Sequence, residues 1–136
     1  MAKKIKKKSK PIKSGVARAP LKNIFDEIGD PLLCELGTDP APQMMRWAVG
    51  CVAAAWNCSR NPDEAAARAD LDQRIPKLIN AAFPDPVELG GILEQIMHTA
   101  RTRYRRDPRY AAKIFIDKLG PGKFHVEVVA GVLRKK

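Results

Sequence analysis

The residues best suited by type and spacing to do chemistry fall between positions 94 and 109. His98 has Glu94 one helical turn before it and Arg101 and Arg105 beyond it. On a helix these four side chains share one face, so Glu94 could orient His98 as a general base while the arginines hold an anionic substrate. The same spacing also describes a solvated helix face laced with i,i+4 pairs, and that is the commoner outcome. A small enzyme with an Arg/His anion site is therefore one reading of the chain, though not the leading one.

Five arginines crowd the same stretch. Arg101, Arg103, Arg105, Arg106 and Arg109 are opposed only by Asp107, with Tyr104 and Tyr110 interleaved. Guanidinium forks match phosphates bidentately, and aromatic rings offer stacking surfaces to bases. Two features of the stretch oppose that use. Arginines at a helix C-terminus complement the macrodipole, and Tyr104 falls on the apolar arc of its own helix. The residues expected to reach phosphates are Arg101, Arg105, Arg106 and Arg109. Arg103 lies inside the apolar arc, and Arg46 forms a polar line with Asn57 on an otherwise apolar helix. A guanidinium so placed needs a partner, so one of the two should pair with Asp26, Glu27 or Glu35.

Other constellations carry less. Cys51 and Cys58 are seven residues apart on one helix, about 10.5 Å of rise, too far for a disulfide or a shared tetrahedral zinc. Cys34 has no Cys-x-x-Cys partner, so all three read as buried structural thiols. Asp70 and Asp72 diverge on a helix, and His125 opposite Asp117 on a hairpin reads as a cross-strand pair. No phosphate-binding loop, dinucleotide-binding glycine pattern, nucleophile elbow or His-Glu-x-x-His is present. No catalytic residue, metal ligand or cofactor is assigned.

The strongest signal is where the charge sits. Residues 1–22 hold Lys3, Lys4, Lys6, Lys7, Lys8, Lys10, Lys13, Arg18 and Lys22 and no acid, a total of +9 out of a net +10. Residues 23–136 set 16 Lys and Arg against 15 Asp and Glu, so the rest of the chain is nearly neutral. So many like charges with so few large apolar groups cannot offset the entropy of ordering, and residues 1–20 are expected to form a disordered arm. Such blocks commonly contact nucleic acid, although they also serve as solubilising tails or import addresses. The expected contacts are Lys3, Lys4, Lys6, Lys7, Lys8, Lys10 and Lys13, on phosphates and without base reading.

The body that would carry these groups reads as one domain over 21–136, mainly helical, α+β in class. Two short helices are expected at about 21–28 and 31–36, with Asp30 capping the second, and then a helix over about 42–59 that is apolar almost all round. That third helix belongs at the centre of a bundle. Gly50, Ala53 and Ala54 on its polar line suggest a second helix approaching closely. Asn61-Pro62-Asp63-Glu64 opens the next helix, supported by Glu64/Arg68 and Asp70/Arg74, until Pro76 breaks or kinks it. Pro84-Asp85-Pro86 starts the last helix, about 86–106.

After Pro108 the apolar period changes to two. Ile114, Ile116, Val126 and Val128 alternate around Gly120-Pro121-Gly122, predicting a β-hairpin over about 110–133. A three-residue loop pairs Ile116 with Val126 and Ile114 with Val128, which puts the apolar side chains on one face. A hairpin alone is marginal, so it must pack on the helices, gain a third strand from residues 12–18, or pair with a second copy.

An odd cysteine count and a lysine-rich start argue against a secreted disulfide scaffold. The longest stretch free of charge, residues 47–59, is 13 residues and too short to span a bilayer. A cytoplasmic protein is expected, or a nuclear one in a eukaryotic host. The leading expectation is a non-enzymatic protein whose basic arm contacts nucleic acid or a ribonucleoprotein surface. The alternative is a protein–protein module that dimerises through the hairpin edge.

Overall fold

The computed structural model describes residues 19–132. The expected arm, with its seven lysines, lies outside the described residues except for Ala19 and Pro20. Leu21, Ile24, Phe25 and Ile28 recur at helical spacing and are all buried along α1 (Leu21–Ile28). Gly29 ends that helix and serves as N-cap of a single turn, α2 (Asp30–Leu33), so Asp30 is the first helical residue rather than the cap. A 3-10 turn, Cys34–Leu36, follows.

Helix α3 (Pro42–Ser59) is the hub, packed against α4, α5 and the first strand. Its centre is Trp56, with no exposed surface. Gly50 corrects one expectation: a Cβ there would meet nothing within 4 Å, so no helix crosses at that point.

Helix α4 (Glu64–Leu78) is capped by Asp63, whose carboxylate accepts the Ala66 N–H at 3.2 Å. Asn61 in turn accepts the Asp63 N–H at 2.9 Å, so Pro62 stands just outside the helix. Pro76 does not break it, because a proline near the last turn removes only one donor, that for the Asp72 carbonyl. Asp72 is exposed, and water can serve that oxygen. Helix α5 (Pro86–Arg103) starts as expected, with Asp85 accepting the Val87 N–H at 2.9 Å and Pro86 in the first turn. It stops at Arg103, three residues before the expected end, and that shortening decides which arginines are free.

Strands β1 (Arg109–Gly120) and β2 (Lys123–Val132) pair antiparallel in the expected register, Ile116 with Val126, Ile114 with Val128 and Asp117 with His125. The pairing slips at Ala112 and again at Leu119, so the loop is the two residues Pro121-Gly122 and not the expected three, and the extra residue at Leu119 is what keeps the register. The hairpin packs on the helices, which settles how its apolar face is covered. At its root, the Asn57 amide donates to the Ala111 carbonyl at 3.1 Å and accepts the Ala111 N–H at 2.8 Å, while the Trp56 indole donates to the Arg109 carbonyl at 3.0 Å.

At its tip, Asp39 accepts the Gly122 N–H at 2.8 Å and pairs with Lys118 at 3.0 Å. These contacts, the Gly122 N–H first, hold the Asp39 carboxyl below the usual carboxylate range. Gly122 has φ +68°, and a Cβ there would come within 2.6 Å of the Thr38 carbonyl oxygen. Gly122→Ala should therefore cost about 1–3 kcal/mol, from left-handed backbone strain plus the clash. Urea denaturation checks the loss, and a midpoint unchanged from the parent would show that the tip is not docked.

The architecture is a small helical bundle with a C-terminal β-hairpin. Among the described residues, no helix is long and apolar enough to cross a membrane.

Candidate anion-binding cleft

The corner where α5 gives way to β1 is built around an arginine that the sequence did not single out. Arg60 follows the last residue of α3 and lies over the Trp56 indole, its Cζ 4.0 Å from the ring centroid. Its guanidinium donates to the carbonyls of Ala100 (2.8 Å), Tyr104 (2.6 Å) and Asp107 (2.6 Å), and its Nε to the Ser59 hydroxyl at 3.0 Å. A cation drawn onto the carbonyl end of α5 is what the helix dipole favours. Burial pulls this guanidinium down to about 10, still far above neutrality, so Arg60 is charged. By holding Tyr104 and Asp107 as well as Ala100, it turns the chain out of the helix before Pro108.

Arg101 plays a matching part on the surface. It donates to the Asn61 carbonyl at 2.5 Å and the Pro62 carbonyl at 3.2 Å, fixing the α3–α4 turn against α5. Neither Arg60 nor Arg101 forms an ion pair with a carboxylate among the described residues. Asp107 acts on Arg60 electrostatically, but its carboxylate is held by Arg109. In contrast, Arg68, Arg74, Arg103 and Arg109 each pair with an acid.

Between the α3–α4 turn and the end of α5 opens a cleft of about 510 Å³. His98, Arg101, Thr102 and Arg105 line one side, and Arg60 and Glu64 lie on the other. His98 and Arg105 are exposed, and neither side chain has a hydrogen-bond or ion-pair partner among the described residues. The cleft thus joins three guanidinium groups and an imidazole against one carboxylate.

The structure distributes the expected phosphate contacts unevenly. Lys3, Lys4, Lys6, Lys7, Lys8, Lys10 and Lys13 lie outside the described residues. Arg105 and Arg106 sit in the turn beyond α5, exposed, with Arg105 at the cleft and Arg106 outside its lining. Arg101 is committed to backbone carbonyls. Arg109 grips Asp107 through two nitrogens, at 2.9 and 2.6 Å, and donates to the Ala19 carbonyl at 2.8 Å, so its fork is already filled.

Neither tyrosine is an open stacking platform. Tyr104 packs 6.0 Å from Trp56 and donates to Glu27, while Tyr110 lies over its strand partner Gly131. Arg103 does pair with one of the expected acids, Glu27, but on the surface: its side chain is 59% exposed. Arg46 is exposed too.

The Glu94–His98 arrangement does not form. Glu94 turns across to Arg68 on α4 at 3.0 Å, which also removes Arg68 from Glu64. Asp70 and Arg74 pair as expected, at 3.1 Å. Cys51 and Cys58 are buried, and burial pushes their thiols up to about 12 and about 11, so they are not nucleophiles. Cys34 is exposed, contrary to the expectation for it. Among the described residues, no group of three or more His, Cys, Asp or Glu could hold a metal ion.

No protein-family model, curated protein or solved structure matches the chain.

Proposed function

We propose that this is a binding protein for nucleic acid, or for a ribonucleoprotein surface presenting it, which holds phosphates without reading bases. Residues 1–22 carry nine cationic side chains and no acid. The observation that carries the reading is where this leader meets the body. Ala19 is tied by its carbonyl to Arg109, at 2.8 Å, and Arg109 belongs to the same corner as the exposed Arg105 and Arg106. Leader and corner therefore supply cationic charge from adjoining parts of the chain. A strand laid across them would release counterions in proportion to the phosphates neutralised.

The test uses the full chain with Lys3, Lys4, Lys6, Lys7, Lys8, Lys10 and Lys13 all changed to Gln. Anisotropy of a labelled duplex, read across a salt series, should give the parent a steep decline in affinity, about 0.9 log units per log unit of salt for each phosphate engaged. The neutralised chain should bind weakly at every salt and lose most of that slope. Equal affinity in the two chains, or no binding by the parent in dilute salt, overturns the proposal.

A second reading has an observation of its own. The outer face of the hairpin exposes Phe115 (50%) with Val129 (36%) diagonal to it across the strands, an apolar pair left in solvent. Self-association through that face would be insensitive to the lysine changes and would survive high salt. Light scattering that reports a monomer at high protein concentration removes it.

A further inference from the structure

We infer that the cleft between the α3–α4 turn and the end of α5 binds a phosphate ester of about nucleotide size. The inference goes beyond the nucleic-acid reading, because none of its residues lies in the leader. Its starting point is that Arg60 and Arg101, unlike Arg68, Arg74, Arg103 and Arg109, form no ion pair with a carboxylate among the described residues. Both are held in place by carbonyl oxygens of Ala100, Tyr104, Asp107, Asn61 and Pro62, which accept hydrogen bonds without cancelling a unit charge. Two cations have thus been fixed beside one another: burial weakens the charge on Arg60 most, Asp107 supports it, and Arg101 opposes it to a smaller extent. An anion entering the cleft relieves that repulsion.

The remaining groups supply the direct contacts. Arg105 is exposed and without a partner among the described residues, leaving a planar fork to close on two phosphate oxygens. His98 lies on the same wall with its ring unengaged. Glu64 is the opposing charge, so the cleft holds three guanidinium groups against one carboxylate. The volume, about 510 Å³, suits a phosphate with its sugar and falls within the usual range for small-ligand sites. The phosphate can come from a free nucleotide or from a nucleic-acid strand, since the recognised chemistry is the same.

The experiment is a titration of the full chain followed by backbone amide NMR, using adenosine 5′-monophosphate, adenosine and a short 5′-phosphorylated oligonucleotide. The monophosphate should move the signals of residues 59–64 and 98–105, and adenosine should not. Arg105→Gln, at an exposed site that leaves the fold intact, should weaken the monophosphate about 10-fold, as for the loss of a charge-assisted contact. Glu64→Gln should tighten it.

Movement of the same signals by the oligonucleotide in the lysine-neutralised chain assigns the phosphate to a strand, and movement by the mononucleotide alone assigns it to a free nucleotide. If the monophosphate leaves these signals unmoved at millimolar concentration, or adenosine moves them equally, or both substitutions leave affinity unchanged, the inference is overturned. Loss of oligonucleotide binding in the neutralised chain with the mononucleotide response intact keeps the two proposals separate.

Discussion

Replacing Arg60 with Ala should cost about 3–4 kcal/mol of folding stability, through the loss of four charge-assisted hydrogen bonds, three of them to carbonyls, and a cation–π contact. The Ala100 oxygen keeps the Tyr104 N–H and the Tyr104 oxygen keeps the Asp107 N–H, while the Asp107 carbonyl loses its 2.6 Å bond from the guanidinium. That residue opens the connection into β1, and its side chain is buried with Arg109 upon it. The damage should therefore reach both the end of α5 and the root of the hairpin.

Thermal denaturation should show a fall of roughly 10 °C or more, given about 3–5 °C per kcal/mol for a chain of this size. Arg60→Lys should recover little, because one ammonium cannot reproduce a fork over three oxygens. Arg101→Ala, which bonds exposed carbonyls, should cost under about 1 kcal/mol. A melting temperature for Arg60→Ala as high as that of Arg101→Ala would show that Arg60 is not the group that closes this corner.

Arg60 also marks the limit of what the sequence reveals. Elements specified by local chemistry are legible: Asp85-Pro86 starts α5, the all-round apolar pattern of residues 42–59 makes the hub, and alternation around Gly120-Pro121-Gly122 sets the hairpin register. Arg60 belongs to no local pattern. It is a cation after 13 uncharged residues, and its carbonyl acceptors lie some 40 to 47 positions away. The only local hint is that isolation.

The candidate site was half visible for the same reason. His98, Arg101 and Arg105 fall together by spacing, and the structure does set them along one cleft. Glu94 leaves that group because Arg68, 26 residues earlier, crosses over from α4 to claim it. Arg105 and Arg109 look equivalent in sequence, yet among the described residues the first side chain has no partner and the second is filled by Asp107. The position at which α5 ends separates them, and that end is set by Arg60 from another helix. The hairpin's tip obeys the same logic, since Asp39 reaches it across more than 80 residues.

The second large effect is expected at Trp56. Its side chain is wholly enclosed, with Phe25 5.9 Å and Tyr104 6.0 Å from the indole and the Arg60 guanidinium over it. Trp56→Ala should cost about 3–5 kcal/mol by cavity formation alone, and loss of the indole N–H leaves the Arg109 carbonyl without that donor. A domain of ordinary stability could be left largely unfolded by such a change, so Trp56→Phe supplies the sharper measurement. Phe keeps a ring beneath Arg60 but cannot donate, and a loss of about 2 kcal/mol is expected from urea denaturation.

The loss should be local before it is global. Amide exchange should rise first at the Arg109–Ala111 end of β1, which Trp56 and Asn57 suspend from α3, and less at the tip that Asp39 holds. Because Arg60 lies on this ring, Trp56→Ala and Arg60→Ala should not add. A double-mutant cycle should return a coupling of about 1 kcal/mol or more, as for groups in direct contact. Strict additivity would mean that the stacking contributes nothing, and that the carbonyl oxygens alone hold the guanidinium in the cleft.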